Sequence, residues 1–156
     1  MKTKILVLVI EDDPSSSRLV TYVLEQEGYQ VITASDGLEG LNRALKENID
    51  LVILDVMLPG LDGYEVCQHL RQKQETARLP ILMISAKGRE MDKDTGFKVG
   101  ANAYLTKPVD PSVIVAEVKT LLAEKEKTST KDSEYENIKP NESIIEITWK
   151  EKGSEE

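Results

Sequence analysis

Apolar and polar positions alternate along this chain in blocks, and the blocks change period. Ile5-Leu6-Val7-Leu8-Val9-Ile10 is a continuous run without alternation, the pattern of a strand buried on both faces of a parallel sheet. It stops at Glu11-Asp12-Asp13. Pro14 suits a first helical turn capped by Asp13, and Leu19, Val20, Val23 and Leu24 then recur at helical spacing until Gly28. The spacing predicts a second strand over Tyr29 to Thr33, a helix capped by Asp36 and carrying Leu38, Leu41, Ala44 and Leu45, and a third strand over Leu51 to Leu54. After the Pro59-Gly60 loop come a helix with Tyr64, Val66, Cys67 and Leu70, a fourth strand over Ile81 to Ile84, and a polar helix from Glu90 to Val99 with little apolar face. Ala103 to Thr106 reads as a short fifth strand. Asp110-Pro111 opens a last helix with Val113, Ile114, Val118, Leu121 and Leu122 on one side.

Five βα units joined by short links predict an α/β fold: a doubly wound, five-stranded parallel sheet covered on both faces by right-handed crossovers. In such sheets ligands sit beyond the carboxyl ends of the strands. This domain is expected to span residues 1–124. From Lys125 the composition shifts to six Lys and nine acidic residues among the last 32, the signature of a solvated polar tail over 125–156. Within it, Ser143-Ile144-Ile145-Glu146-Ile147-Thr148-Trp149 has strand character and the only Trp.

Charge narrows the range of partners. With 28 acidic against 20 basic side chains the net charge is -8, and the resulting field repels nucleic acid and anionic lipid. Proteins and cations are the expected partners. Cys67 is the only cysteine and cannot close an intramolecular disulfide, and Met1-Lys2-Thr3-Lys4 leads directly into a strand pattern, so a reducing cytoplasm is expected. No apolar run approaches the roughly 20 residues that a membrane-spanning helix needs.

The predicted strand ends carry the candidate chemistry: Glu11-Asp12-Asp13 after the first, Asp55 after the third, Ser85 after the fourth and Lys107 after the fifth. Carboxylates gathered in one cleft repel one another unless a cation neutralises them. Glu11, Asp12 and Asp55 offer the oxygen ligands that suit Mg²⁺, with Mn²⁺ as a substitute. Lys107 adds a positive point charge and Ser85 a hydroxyl donor, a pair that fits the oxygens of a phosphoryl group. A carboxylate such as Asp55, placed directly after the buried run Leu51-Val52-Ile53-Leu54 at the end of a central strand, is poorly explained by packing. His69 has no metal-ligand partner nearby in sequence and is expected at the surface.

Val9-Ile10-Glu11-Asp12-Asp13, Asp55-Val56-Met57-Leu58-Pro59-Gly60-Leu61-Asp62-Gly63, Ser85-Ala86 and Lys107-Pro108, in this order and spacing, resemble the receiver domain of two-component response regulators of the chemotaxis-regulator type. The resemblance covers residues 2 to about 124 and implies the flavodoxin-like (βα)5 fold. It implies Asp55 as phosphoryl acceptor, Glu11 and Asp12 as the acidic pair holding Mg²⁺ with Asp55 and the backbone carbonyl of Met57, and Ser85 and Lys107 as the phosphoryl-contacting pair. Asp13 falls one place beyond the acidic pair and is left as the helix cap. The resemblance also implies Tyr104 as an aromatic switch moving with Ser85, and a Lys107-Pro108 bond of the kind commonly cis in the family.

The implied function is a phosphorelay response regulator, phosphorylated by a sensor histidine kinase or a histidine phosphotransfer protein, that switches a surface for a downstream protein. It is not an enzyme beyond catalysing its own phosphoryl transfer and dephosphorylation. The 32 residues after Glu124 are too few for a helix-turn-helix domain, so direct nucleic-acid contact is not expected. The alternative is a receiver-like docking module that works without phosphorylation. A dehalogenase-type phosphatase would carry a second Asp where Met57 stands, and a flavodoxin would carry a hydroxyl-rich loop where Glu11-Asp12-Asp13 stands.

Overall fold

The computed structural model describes residues 4–138, with side chains to residue 126. Its elements follow the alternating blocks: β1 (Leu6–Ile10), α1 (Pro14–Gln26), β2 (Gln30–Ala34), α2 (Gly37–Lys46), β3 (Leu51–Leu54), α3 (Gly63–Gln72), β4 (Ile81–Ser85), α4 (Glu90–Val99), β5 (Ala103–Thr106) and α5 (Pro111–Ile138). All pairings are parallel, in the order β2-β1-β3-β4-β5. The chain reverses direction across the sheet between β1 and β3, which is where such folds open a ligand crevice.

Because successive strand residues point to opposite faces, the apolar runs build two cores. Leu8, Ile10, Val52, Leu54, Ile81 and Met83 pack with α2 and α3 residues on one face. Val7, Val9, Leu51, Ile53, Leu82 and Ile84 pack on the other with Leu24 of α1 and with Ile114, Val118 and Leu121 of α5. A strand buried on both sides has no polar position to spare, which is why these runs show no alternation.

Several apolar residues lie differently from their expected places. Leu38 is 63% exposed, because α2 turns Gly37, Gly40, Leu41 and Ala44 inward instead. The helix sits so close to the sheet that a Cβ on Gly40 would run into Ile10, and one on Gly37 into the carbonyl of Leu61. Leu19, Leu45 and Val113 are exposed as well. On α5 the buried stripe is Ile114, Val118 and Leu121, spaced by four and three residues, and Val113 falls one position off it.

The backbone of α5 continues as helix to Ile138, past Leu122, the last of the apolar positions expected on its one side. Residues through Leu122 form one compact unit. The Ser143–Trp149 segment lies outside the described residues. Among the described residues no helix is long and apolar enough to cross a membrane.

Candidate functional site

Register places the chemistry. Ile10 pairs with Leu54, so the residues that follow them, Glu11 and Asp55, emerge side by side, and the Asp55 amide donates to the Ile10 carbonyl at 3.0 Å. Ser85 pairs with Thr106, and the amide of Lys107 donates back to the Ser85 carbonyl at 2.8 Å. All four expected strand ends therefore open on the same edge of the sheet.

Lys107 ties the first pair together. Its Nζ donates to Glu11 Oε1 at 2.6 Å and to Asp55 Oδ2 at 2.8 Å. The other Asp55 oxygen accepts the Met57 amide at 2.9 Å, so the β3–α3 loop is folded onto the carboxylate. Asp55 and Glu11 are both buried, at 6% and 7% exposure. Burial first, then the neighbouring Asp55 carboxylate, outweighs Lys107 and pushes Glu11 up to about 7. Burial also opposes the charge on Lys107, but the bonds to Asp55 and Glu11 prevail and hold it above the usual lysine range.

The site has unmet demand for positive charge. Glu11 Oε2 is buried without a hydrogen-bond partner. Asp12 is exposed, and one carboxylate oxygen from each of Glu11, Asp12 and Asp55 lies within 4.8 Å of the others. Three hard oxygen donors, one of them orphaned, fit a hard divalent cation. Asp13 takes no part: its carboxylate accepts from the amide and hydroxyl of Ser16, at 3.2 and 2.8 Å, as a helix cap. Those bonds draw its pKa below the usual carboxylate range. Beside the cluster, a cleft of about 510 Å³ runs between α1 and the β5–α5 turn, with Glu11, Asp55 and Lys107 at its polar end and Leu19, Val20 and Pro108 among its apolar walls.

Ser85 and Tyr104 lie one layer away. Ser85 is fully buried and its Oγ accepts the Lys87 amide at 3.2 Å. Tyr104 is 8% exposed, its hydroxyl donating to the Lys87 carbonyl. One loop, β4–α4, thus receives both. The Lys107-Pro108 bond is cis. The side chain of Met57 is half exposed and His69 is exposed.

Three residues around α4 escaped the sequence reading. The Tyr64 hydroxyl, from the first turn of α3, donates to the Asp92 carbonyl of α4 at 3.0 Å. Burial, with Tyr104 and Asp92 adding to it, raises the Tyr64 phenol above the ordinary tyrosine value and keeps it a neutral donor. Asp92 is a buried carboxylate that accepts the Arg89 amide at 3.1 Å. Arg71 inserts its guanidinium between loops and bonds the carbonyls of Gly100, Thr76, Ala77 and Leu79 and the side chain of Asn102. One signal was available: Arg71 stands four residues after Cys67 and seven after Tyr64, on the stripe that α3 buries.

Known proteins match this arrangement in sequence and in shape. A family model described as response regulator receiver domain matches residues 7–119. Over 139 residues the chain is 46% identical to the alkaline phosphatase synthesis transcriptional regulatory protein PhoP of Bacillus subtilis, covering 89% of this chain and 57% of that protein. It is 47% identical over 116 residues to the DNA-binding dual master transcriptional regulator RpaA of Synechocystis, covering 74% of this chain and 48% of that one. The chain thus spans about half the length of these curated relatives. Among solved structures, the chemotaxis protein CheY4 of Vibrio cholerae superposes with a TM-score of 0.73 at 32% identity, over 76% of this chain and 99% of that one.

Proposed function

Because the chain belongs to the response regulator receiver domain family, we propose that it accepts a phosphoryl group on Asp55 from a phosphohistidine of a sensor histidine kinase or histidine phosphotransfer protein. One observation carries this reading. Asp55 is a buried carboxylate at the end of a central strand, bonded to Lys107 and within 4.8 Å of two further acidic ligands. Structural carboxylates are rarely collected this way, since their mutual repulsion costs stability.

In the reaction a carboxylate oxygen of Asp55, exchanging its present hydrogen bond for the incoming group, attacks phosphorus in line with the phosphorus–nitrogen bond of phosphohistidine. The oxygen–phosphorus bond forms as the phosphorus–nitrogen bond breaks, and the imidazole leaves with its electron pair. Glu11, Asp12, Asp55 and the Met57 carbonyl would hold Mg²⁺, or Mn²⁺, which would offset the charge of the transferring oxygens. Lys107, bonded to Asp55, would neutralise a phosphoryl oxygen from that position. Ser85 supplies a hydroxyl to another. Moving Ser85 draws on the β4–α4 loop that Tyr104 also holds, so the phosphoryl group biases a surface around α4.

The protein is a signalling domain whose chemistry is performed on itself. We place the receiver at residues 1–124, with 125–156 as a separate polar segment, and the whole in the cytoplasm. The DNA-binding relative extends to about twice the span matched here, and the compact unit that holds the five strands ends at Leu122. Within that span the proposed output is contact with another protein.

Intact mass after incubation with acetyl phosphate and Mg²⁺ tests the reading. A single phosphoryl adduct is expected, lost in Asp55→Ala and lost when a chelator removes the metal. A folded protein that gains no adduct would instead favour a docking module that works without phosphorylation.

A further inference from the structure

We propose that Tyr64 is a positioning residue on a second route from Asp55 to α4, running through the β3–α3 turn in parallel with Ser85 and Tyr104. The inference rests on Asp55 being the acceptor and goes beyond it by naming how the acceptor's own loop reaches the switched surface.

The route is a chain of contacts without a gap. Gly63 opens α3 pressed against the acceptor's backbone: a Cβ there would strike the Asp55 carbonyl and lie 2.6 Å from Val56 Cα. The Gly63 amide donates to the Val56 carbonyl at 2.9 Å, and the Met57 amide holds Asp55 Oδ1 itself. A rearrangement of the Asp55 side chain that breaks the Met57 bond therefore pulls on the turn that begins α3. Tyr64 is the next residue. Its hydroxyl grips the Asp92 carbonyl in the first turn of α4, and Lys87 Nζ lies 5.9 Å from the centre of its ring.

Tyr64 and Tyr104 thus clasp one segment from two elements. Tyr104, from β5, holds the carbonyl of Lys87, and Tyr64, from α3, holds the carbonyl of Asp92 five residues on. Ser85 also reaches the segment, through the Lys87 amide. The segment from Lys87 to Asp92 is accordingly held by both routes, by Ser85 and Tyr104 at Lys87 in the loop and by Tyr64 at Asp92 in the first turn of α4, so each has a place at which to bias its position. Two independent holds on one element give a signature in double substitutions, because removing either leaves the other to transmit.

The test is hydrogen exchange over residues 87–95 in the full chain, with and without acetyl phosphate and Mg²⁺, intact mass being read on the same samples. Exchange at β3 serves as the internal check that each variant is folded. Without phosphorylation, Tyr64→Phe is expected to speed exchange over 87–95 about fivefold, the weight of one neutral hydrogen bond, and to leave β3 unchanged. Phosphorylated Ser85→Ala should retain at least about half of the wild-type change over that segment, and Ser85→Ala with Tyr64→Phe should lose it. A labelled protein whose change vanishes in Ser85→Ala alone, or survives in the double variant, overturns the second route while leaving Asp55 as acceptor. A folded wild-type protein that takes no label removes the acceptor reading and the route together.

Discussion

The two ends of α4 are held in opposite ways. At its carboxyl end Gly100, with φ of 116°, closes the helix, and the Arg71 guanidinium takes the Gly100 carbonyl from two nitrogens, at 3.0 and 2.8 Å. The same guanidinium binds Leu79 at 2.7 Å and Asn102 at 2.9 Å, while the Asn102 side chain also accepts the Ile81 amide at 2.8 Å. At its amino end the helix is held by dispersed contacts: the Tyr64 hydroxyl on Asp92, the Tyr104 hydroxyl on Lys87, and the Asp92 carboxylate, which accepts the Arg89 amide and an Arg89 side chain that is 75% exposed. Met91 and Phe97 face outward along the helix. A helix held by one many-bonded side chain at one end and by dispersed contacts at the other would pivot about the first under load, and the second is the end facing the β4–α4 loop and Ser85. The division of labour teaches where a signal can be spent: on bonds worth about 1 kcal/mol each, not on a part-buried hub that gathers several of them in one side chain.

Arg71→Met should break the many-bonded end and give the largest effect. Four backbone carbonyls from two connections, α3–β4 and α4–β5, would lose a part-buried charged donor, so unfolding free energy should fall by about 3 kcal/mol, read as a lower urea midpoint. A loss below about 1 kcal/mol would mean that water replaces the guanidinium and the pivot is no firmer than the other end.

Acidity sharpens the contrast next. Glu11 titrates near 7 in the fold and near 4.5 when unfolded, so the folded state binds more protons between those values. Stability without divalent cation should therefore fall as pH rises from about 4.5 to 7, by on the order of 2 kcal/mol, and Mg²⁺ should abolish the fall. Neither end of α4 titrates there, since bonding to Arg89 holds Asp92 below the usual carboxylate range and burial holds Tyr64 above the usual phenol range. Urea titrations of wild type and Arg71→Met should thus run parallel across that window. Curves that diverge would tie the hub to the acidic cleft.

Asp92→Ala should give the smallest effect. Losing the bond to the Arg89 amide should cost about 1 kcal/mol of stability, with faster exchange confined to the first turn of α4. Exchange that also quickens at Gly100 and Asn102 would show that the two ends are not separate.

Much of this was legible in the sequence because it is written in local pattern. Leu51–Leu54, Glu90–Val99 and Ala103–Thr106 were bounded correctly by a change of period and by turn residues. The convergence of Glu11, Asp12, Asp55 and Lys107 follows from parallel topology, since every strand then ends on the same edge. What stayed hidden depends on partners distant in sequence and without side-chain identity. Arg71 and Tyr64 bond backbone carbonyls 29 and 28 residues away, which no residue type announces. The outward turn of Leu38 depends on how closely α2 approaches Ile10, a packing distance that helical periodicity does not carry.

The acceptors around Arg71 are peptide carbonyls and one amide, with no carboxylate among them. A cation solvated by dipoles at contact distance is little affected by a mobile ion atmosphere, whereas an exposed pair such as Lys119–Glu27 weakens as the Debye length shrinks from about 10 Å at 0.1 M salt. The pivot of α4 should therefore keep its stiffness from dilute buffer to molar salt, giving the domain a mechanical reference point independent of the ionic strength around it.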